Sequence, residues 1–307
     1  MKRRVSIIIN PISGNGFSKR KEQLLKTYLS DNHYESDICF TEKSEGSTKI
    51  FIQRQLEKAC TNFLVVGGDG TVNTVGKFLA GTEGALGVIP NGSGNGLARH
   101  LQIPTKFSES ISLIDNHRVI DMDYGTVNGI PFFCTAGIGF DAEVAHIFSR
   151  QTVRGFKTYL EIILKEFARY KPEKFTIQFD GKEIRTSSFL MTFANAGQFG
   201  NNVFISPDAK IDDGLLDFCL ISPFPQILAP LVGAQAMSKT INSSHFYEMT
   251  RVVEAKIIRE KSGWVHFDGE PVNLPKEVEF KAIPAGIKIM QPTENMLKKP
   301  LFPGLLN

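Results

Sequence analysis

The sequence predicts an α/β protein in two parts. An N-terminal three-layer, Rossmann-like domain on a parallel sheet covers residues 1–124, and a C-terminal antiparallel β-sandwich domain covers 125–307, with 285–291 a candidate strand returning to the first part. Three observations carry this. Short β-type runs alternate with helical patterns at the start, glycine and small polar residues collect where those runs end, and after Asp123 the texture changes to hairpins.

In order, Val5–Ile9 is an apolar run of strand length, stopped by the turn Asn10-Pro11-Ile12-Ser13-Gly14-Asn15-Gly16. A helix over Ser18–Leu29 sets Leu24, Leu25, Tyr28 and Leu29 on one face. A strand near Ser36–Phe40 ends at Thr41, and a helix over Ser47–Ala59 leads to the strand Phe63–Val66. A helix over Val72–Leu79 and the strand Leu86–Ile89 repeat the rhythm. Such alternation argues for right-handed crossovers in a parallel sheet, whose ligands bind at the carboxyl ends of the strands.

Beyond Asp123, Asn128-Gly129 joins Tyr124–Val127 to Ile130–Thr135, and Asp180-Gly181-Lys182 joins Lys174–Phe179 to Glu183–Asn195. Further strands are expected at Leu215–Ser222, Arg251–Glu260, Gly263–Phe267, Glu277–Lys281 and Gly286–Met290, with helices at Arg154–Tyr170 and Phe224–Met237.

The composition narrows the function classes. With 35 basic against 32 acidic residues in 307, and 42% apolar, the chain is neither disordered nor a dedicated nucleic-acid binder. Cys39, Cys60, Cys134 and Cys219 lie too far apart for a zinc site or disulfide framework and fit a reducing compartment. The N-terminal apolar stretch stops at Asn10-Pro11, too short for a signal peptide, and nothing reaches the roughly 18 apolar residues of a membrane span. The expected location is cytoplasmic, with peripheral contact at the inner face of a membrane.

Val65-Val66-Gly67-Gly68-Asp69-Gly70-Thr71-Val72-Asn73 is the sharpest motif. A strand running into Gly-Gly-Asp-Gly-Thr at a helix start brings bare amides and the positive end of a helix dipole to an anion. Asp69 places a carboxylate where a nucleotide's Mg²⁺ lies, and Thr71 offers a hydroxyl or a helix cap; a plain strand-to-helix turn uses the same residues. A second such loop, Pro90-Asn91-Gly92-Ser93-Gly94-Asn95-Gly96-Leu97-Ala98-Arg99, follows one strand later, so a shared polyphosphate site is expected. There is no Gly-x-x-x-x-Gly-Lys-Ser/Thr loop, so the phosphates are expected to be held without its lysine.

These motifs occur in an order that resembles the diacylglycerol kinase catalytic-domain family, which includes bacterial lipid kinases and the sphingosine and ceramide kinases. The carriers are Asn10-Pro11 with Ser13-Gly14, Thr41, Gly67–Thr71, and Pro90-x-Gly92-Ser93-x-Asn95-x-x-Ala98-Arg99. The match continues through Asp123-Tyr124-Gly125-x-Val127-Asn128-Gly129, Ala136-Gly137-x-Gly139-Phe140-Asp141, Pro207–Asp217 and Phe267-Asp268-Gly269-Glu270.

The resemblance implies an ATP-dependent lipid kinase, with diacylglycerol the leading acceptor. It implies ATP contacts at Asn10, Thr41, Gly67, Gly68, Asp69, Gly70, Thr71, Val72, Asn73 and Ser93. It implies a structural Mg²⁺ held by Asp213 and the carbonyls of Lys210 and Leu215, and a base at Glu270 that takes the proton of the lipid hydroxyl. Phosphoryl transfer asks for such parts: metal and amide donors for the phosphates, and a carboxylate near the attacking hydroxyl. Asp268-Gly269-Glu270 and Asp212-Asp213-Gly214 are also ordinary turn sequences.

Gly92-Ser93-Gly94-Asn95 is closer to sphingosine and ceramide kinases, so a long-chain base is the alternative acceptor. NAD kinases share Gly-Gly-Asp-Gly-Thr, but their downstream Asn-Glu pair is not found here; a non-catalytic nucleotide or lipid sensor is the reading from another class. Two stretches are candidates for membrane contact. Residues 150–174 hold seven basic side chains (Arg150, Arg154, Lys157, Lys165, Arg169, Lys171, Lys174) against three acidic ones, among Phe156, Tyr159, Leu160, Ile163, Leu164 and Phe167; 295–307 is apolar and basic. A homodimer is compatible with the sequence, and no nucleic-acid partner is expected.

Overall fold

Val5, Ile7, Ile8 and Ile9 are buried one after another rather than alternately, as a strand requires when both faces of its sheet are covered. In the computed structural model, which describes residues 3–42, 44–151 and 156–298, they belong to β1 (Arg3–Ile9). The chain divides into two units, one of the residues up to Met122 with those from Gly286 onward, the other Asp123–Ala285.

In the first unit β1 lies between β2 (Tyr34–Phe40) and β3 (Asn62–Gly67), parallel to both, with Ile7 opposite Ile38 and Leu64. β4 (Ala85–Pro90) follows β3, giving the order 2-1-3-4, so the winding reverses between β1 and β3. The crossovers are α1 (Lys19–Asp31), α2 (Gly46–Glu57) and α3 (Asp69–Leu79). Ser18 caps α1, its Oγ accepting from Lys21 N at 3.3 Å, and the helices bury Leu25 and Leu29, Ile52, and Val72, Val75 and Leu79. Two short helices follow β4, α4 (Gly96–His100) and α5 (Phe107–Ser110).

β5 (His117–Val127) leads into the second unit, where it pairs with β6 (Ile130–Phe132) through Asn128 and Gly129, both at positive φ. After β7 (Thr135–Gly139) come α6 (Phe140–Ser149), α7 (Phe156–Phe167), the hairpin of β8 (Glu173–Phe179) and β9 (Lys182–Ser188), and β10 (Leu190–Ala194). The short pair β11 (Gln198–Gly200) and β12 (Val203–Phe204) precedes β13 (Leu216–Ile221), α8 (Ala229–Met237) and β14 (Tyr247–Val252). β15 (Glu254–Arg259), β16 (Gly263–Phe267), β17 (Glu270–Leu274), β18 (Glu277–Pro292) and α9 (Glu294–Lys298) complete the series.

The order β14-β13-β10-β7-β16-β17 forms one antiparallel sheet of the sandwich; β8, β9, β15 and the start of β18 contribute to the other. Between them Phe193 stacks on Phe280 at 3.8 Å and on Phe218 at 4.7 Å, within a core that includes Ile177, Met191, Ile257 and Phe267. A second cluster, containing Phe140, Ile162, Phe189, Val232 and Tyr247, joins α6, α7 and α8 to β10, β13 and β14.

Several expected elements divide differently. Glu183–Asn195 is two strands, because the chain changes sheets at Phe189, and Arg251–Glu260 is likewise split at Val253 between β14 and β15. Thr135 starts β7 instead of ending the Asn128-Gly129 hairpin. Conversely, Glu277–Lys281 and Gly286–Met290 are parts of the single strand β18, whose end pairs in parallel with β4, Lys288 opposite Ala85. The helix expected over Phe224–Met237 begins as a 3₁₀ turn at Gln226–Leu228, with Pro230 in the first turn of α8. No helix among the described residues is long and apolar enough to cross a membrane. In the basic stretch 150–174, Arg154 and the side chains of Phe156, Lys157, Tyr159 and Leu160 lie outside the described residues, as does the tail from residue 299.

Candidate active site

At the carboxyl ends of β1, β3 and β4, in the first unit, three loops are tied together. Asn10 N donates to Val66 O at 2.9 Å, and Asn10 Nδ2 donates to Thr71 Oγ1 at 2.9 Å. Asn91 N donates to Gly67 O at 2.8 Å, Asn91 Nδ2 donates to Ser13 O at 3.0 Å, and Ser13 Oγ donates to Asn91 O at 3.3 Å. Glycine is what allows this closeness: a Cβ on Gly92 would sit 2.5 Å from Gly68 Cα, and one on Gly67 would sit 2.6 Å from Thr71 Cβ.

Asp69 sits at the centre of this arrangement. Its Oδ2 accepts from Asn95 N at 2.8 Å and its Oδ1 from Gly96 N at 2.7 Å, so the first loop's carboxylate grips the start of the second loop's helix. Asn95 stands at φ +54° and closes the loop on itself, its Oδ1 accepting from Gly92 N at 2.9 Å and its Nδ2 donating to Gly92 O at 2.7 Å. Asp69, expected on the metal side, therefore also braces two loops against each other. Gly68, and not Thr71, occupies the N-cap position of α3, which leaves the Thr71 hydroxyl to Asn10.

The other expected nucleotide contacts are distributed around this cluster. Gly70, Val72 and Asn73 lie in the first turns of α3, where the side chain of Val72 is buried and its amide donates to Gly68 O at 3.0 Å. Ser93 is exposed at the tip of the second loop, and Thr41 follows β2, its N–H donating to Ile9 O at 2.8 Å. One cation escaped the motif search. Lys21 on α1 donates through Nζ to Gly16 O at 3.2 Å and to Asn91 Oδ1 at 2.5 Å, and burial pulls its pKa below the ordinary lysine value. Its only sequence signal is a lysine five residues after a glycine-rich loop, in the first turn of a helix, which is common.

In the second unit Glu270 opens β17 opposite Phe267, with an exposed side chain. The turn before it has Asp268 at φ +49° and Gly269 at φ +88°, the backbone of a type I′ hairpin. Asp268 holds this turn: Oδ1 accepts from Cys134 N at 2.7 Å and Thr135 N at 3.0 Å, and Oδ2 accepts from Phe133 N at 2.9 Å. Three bonds to one carboxylate fix the hairpin that presents Glu270.

On the paired strand β16, His266 belongs to a buried polar pair that sequence reasoning also missed. Asp141 Oδ2 lies 3.1 Å from His266 Nε2 and accepts from Thr192 Oγ1 at 2.7 Å, while Asp141 Oδ1 accepts from Ala142 N at 2.8 Å. Gly137 is required beside it, since a Cβ there would meet Asp141 Oδ2 at 2.1 Å.

The Asp-Asp-Gly turn belongs to the same unit. Buried Asp123 accepts from Gly214 N at 2.6 Å and Ala285 N at 2.7 Å, and Asp123 N donates to Ile211 O at 2.7 Å, which pins the turn. Asp213 is exposed, with Oδ1 accepting from Leu215 N at 3.2 Å. One carboxylate with neighbouring carbonyls at Lys210 and Leu215 is an oxygen-only donor set, suited to a hard divalent cation that keeps several of its waters. Among the described residues no group of three or more His, Cys, Asp or Glu side chains is placed to hold a metal, so thiolate- and imidazole-rich centres do not fit.

Comparison with known proteins agrees with this layout. Residues 4–127 match the family described as the diacylglycerol kinase catalytic domain, and residues 134–291 match the YegS C-terminal NAD kinase beta sandwich-like domain. The diacylglycerol kinase of Mycobacterium tuberculosis is 27% identical over 313 residues, covering 94% of this chain and 95% of its own. That of Staphylococcus carnosus is 27% identical, covering 90% and 89%. The crystal structure of a diacylglycerol kinase from Bacillus anthracis superposes with a TM-score of 0.71 at 20% identity, covering 96% of this chain and 98% of that one, which shows the shared fold.

Proposed function

The chain belongs to the family of ATP-dependent lipid kinases that joins a diacylglycerol kinase catalytic domain to a YegS-type β-sandwich, and on that premise we propose that it phosphorylates diacylglycerol to phosphatidic acid. The observation that carries the reading is the double grip of Asp69 on Asn95 N and Gly96 N, which holds together the bare-backbone loops after β3 and β4, next to the reversal of winding between β1 and β3. Amides that converge on one space, with the N-terminus of α3 among them, suit a chain of phosphates.

In this reading Gly67, Gly68 and Gly70 offer backbone to the phosphates, Val72 and Asn73 build the helix turn behind them, and Asn10, Thr41, Thr71 and Ser93 offer polar side chains. Lys21 lies against the same loops and adds positive charge. Glu270 accepts the proton of the acceptor hydroxyl as its oxygen bonds to the γ-phosphorus and the bond to the β–γ bridging oxygen breaks, leaving ADP. Asp268 keeps Glu270 on a rigid turn and touches no reacting atom. Asp213, with the Lys210 and Leu215 carbonyls, is the seat for Mg²⁺ in the second unit, where the cation would stiffen the turn. Mg²⁺ bound with ATP would offset charge on its β and γ oxygens.

The Gly92-Ser93-Gly94-Asn95 loop favours a second acceptor class, long-chain bases. Incubation with γ-labelled ATP, Mg²⁺ and separate acceptors (diacylglycerol, monoacylglycerol, phosphatidylglycerol, sphingosine and NAD), followed by thin-layer separation, distinguishes them. Label in phosphatidic acid is the expected result; label confined to sphingosine phosphate or to NADP overturns the diacylglycerol reading.

A further inference from the structure

The helix α8 and the 3₁₀ turn before it break a rule that surface helices follow, because their outward face carries no charge. No residue from Phe218 to Ser238 is Asp, Glu, Lys, Arg or His. The inward side is ordinary: Val232 is buried in the cluster that also contains Ile162, Phe189 and Ile241. Outward, Ile227 is 86% exposed, Leu231 56% and Met237 55%. Ile227 and Leu231, four residues apart, continue one stripe from the 3₁₀ turn into the helix with exposed Pro230 and Ala234, while Met237, six residues on, lies about 120° round the helix at its end.

The end of α7 adjoins this stripe. Gln226 Nε2 donates to Ala168 O at 3.4 Å, and the Phe167 and Phe224 rings lie 5.4 Å apart. On α7 Leu164 is 67% exposed, and Lys165, Arg169 and Lys171 are exposed beside it. At the other end Lys239 is exposed, its Nζ 4.7 Å from the Phe204 ring. From Phe218 to Tyr247 the sequence has no carboxylate, and Asn242 Nδ2 donates to Asp208 Oδ2 at 3.1 Å.

We propose that the outward face of the 3₁₀ turn and α8, with Leu164, is the surface by which this protein docks on an anionic lipid bilayer. The proposal rests on the lipid-kinase reading for its purpose, and names where the enzyme meets its substrate's phase. Apolar side chains that protrude singly from a convex face gain by entering the acyl boundary, while Lys165, Arg169, Lys171 and Lys239 meet the phosphates and outnumber the two carboxylates of α7, Glu161 and Glu166. A partner protein would need polar groups to fix its register, and the stripe offers none.

The test compares the full chain with Ile227→Glu/Leu231→Glu and, as a milder change, Ile227→Ser/Leu231→Ser. Sedimentation with vesicles of equal parts phosphatidylcholine and phosphatidylglycerol, without ATP, is expected to show at least about a tenfold loss of binding for the Glu pair and a smaller loss for the Ser pair. Circular dichroism is expected to be unchanged, and so is turnover of a short-chain diacylglycerol dissolved as monomer. Binding equal to wild type in both variants overturns the proposal. So does a wild-type chain whose mass rises with concentration and falls to monomer in the variants, which would make the stripe an interface between two copies. If the wild type phosphorylates no lipid yet loses vesicle binding in the variants, the kinase reading fails while the docking surface stands.

Discussion

Asp69 and Glu270 are both acidic motif residues, and their surroundings are opposite. Asp69 has an amide on each oxygen, whereas Glu270 stands exposed at the first position of a strand. Asp69→Asn keeps the shape but can accept through only one of its two terminal atoms, and it loses the charge that strengthens both bonds. Its expected effect is a loss of about 2 kcal/mol in unfolding free energy and a raised KM for ATP, read by denaturant titration and steady-state kinetics. Unchanged stability and KM would show that the grip is dispensable. The motif made Asp69 legible as a ligand-side carboxylate but hid the bracing, since its partners are backbone amides 26 and 27 residues on. The Asp141–His266 pair was invisible for the same reason: the two lie 125 residues apart and meet only because β7 and β16 are neighbours.

Among elements, β1, β3 and β4 could be read almost directly, because burial on both faces writes continuous apolar runs and each ends in a loop of glycine and small polar residues, whereas β2, with no buried residue, is marked only by its place in the alternation. α3 shows the limit: it starts at Asp69 rather than Val72, because Gly68 takes the N-cap position. In the sandwich the period of two was legible but the partition was not. A chain crossing from one sheet to the other at Phe189 or Val253 keeps its β character and leaves no break in the pattern. Three loops from β1, β3 and β4 form one cradle only if they stay in van der Waals contact. Gly92→Ala places a methyl group 2.5 Å from Gly68 Cα, and neither backbone can yield without parting the loops. ATP affinity, measured by calorimetry, is expected to fall at least about tenfold while the fold survives. Affinity equal to wild type would mean that the cradle does not bind the phosphates.

At the scale of the whole molecule, the proposed function divides between two units. The fold class was evident from the change of texture near Asp123, while the course of the last strand was not, since Glu277–Pro292 runs through a positive φ at Ala285 without a break. The first unit supplies the nucleotide cradle; the second supplies the pinned Asp-Asp-Gly turn, the Glu270 hairpin and the uncharged outward face of α8. The modest excess of 35 basic over 32 acidic residues conceals this last feature, a stretch free of carboxylates from Phe218 to Tyr247. The proposed function makes nucleotide binding and hydroxyl activation separable by substitution, with Glu270 acting on the hydroxyl alone. The most direct test is γ-phosphate transfer to diacylglycerol by Glu270→Gln beside wild type, with ATP binding measured on the same samples. Turnover is expected to fall by about 10²- to 10⁴-fold with ATP affinity unchanged; a variant that keeps most of its turnover would contradict Glu270 as the base.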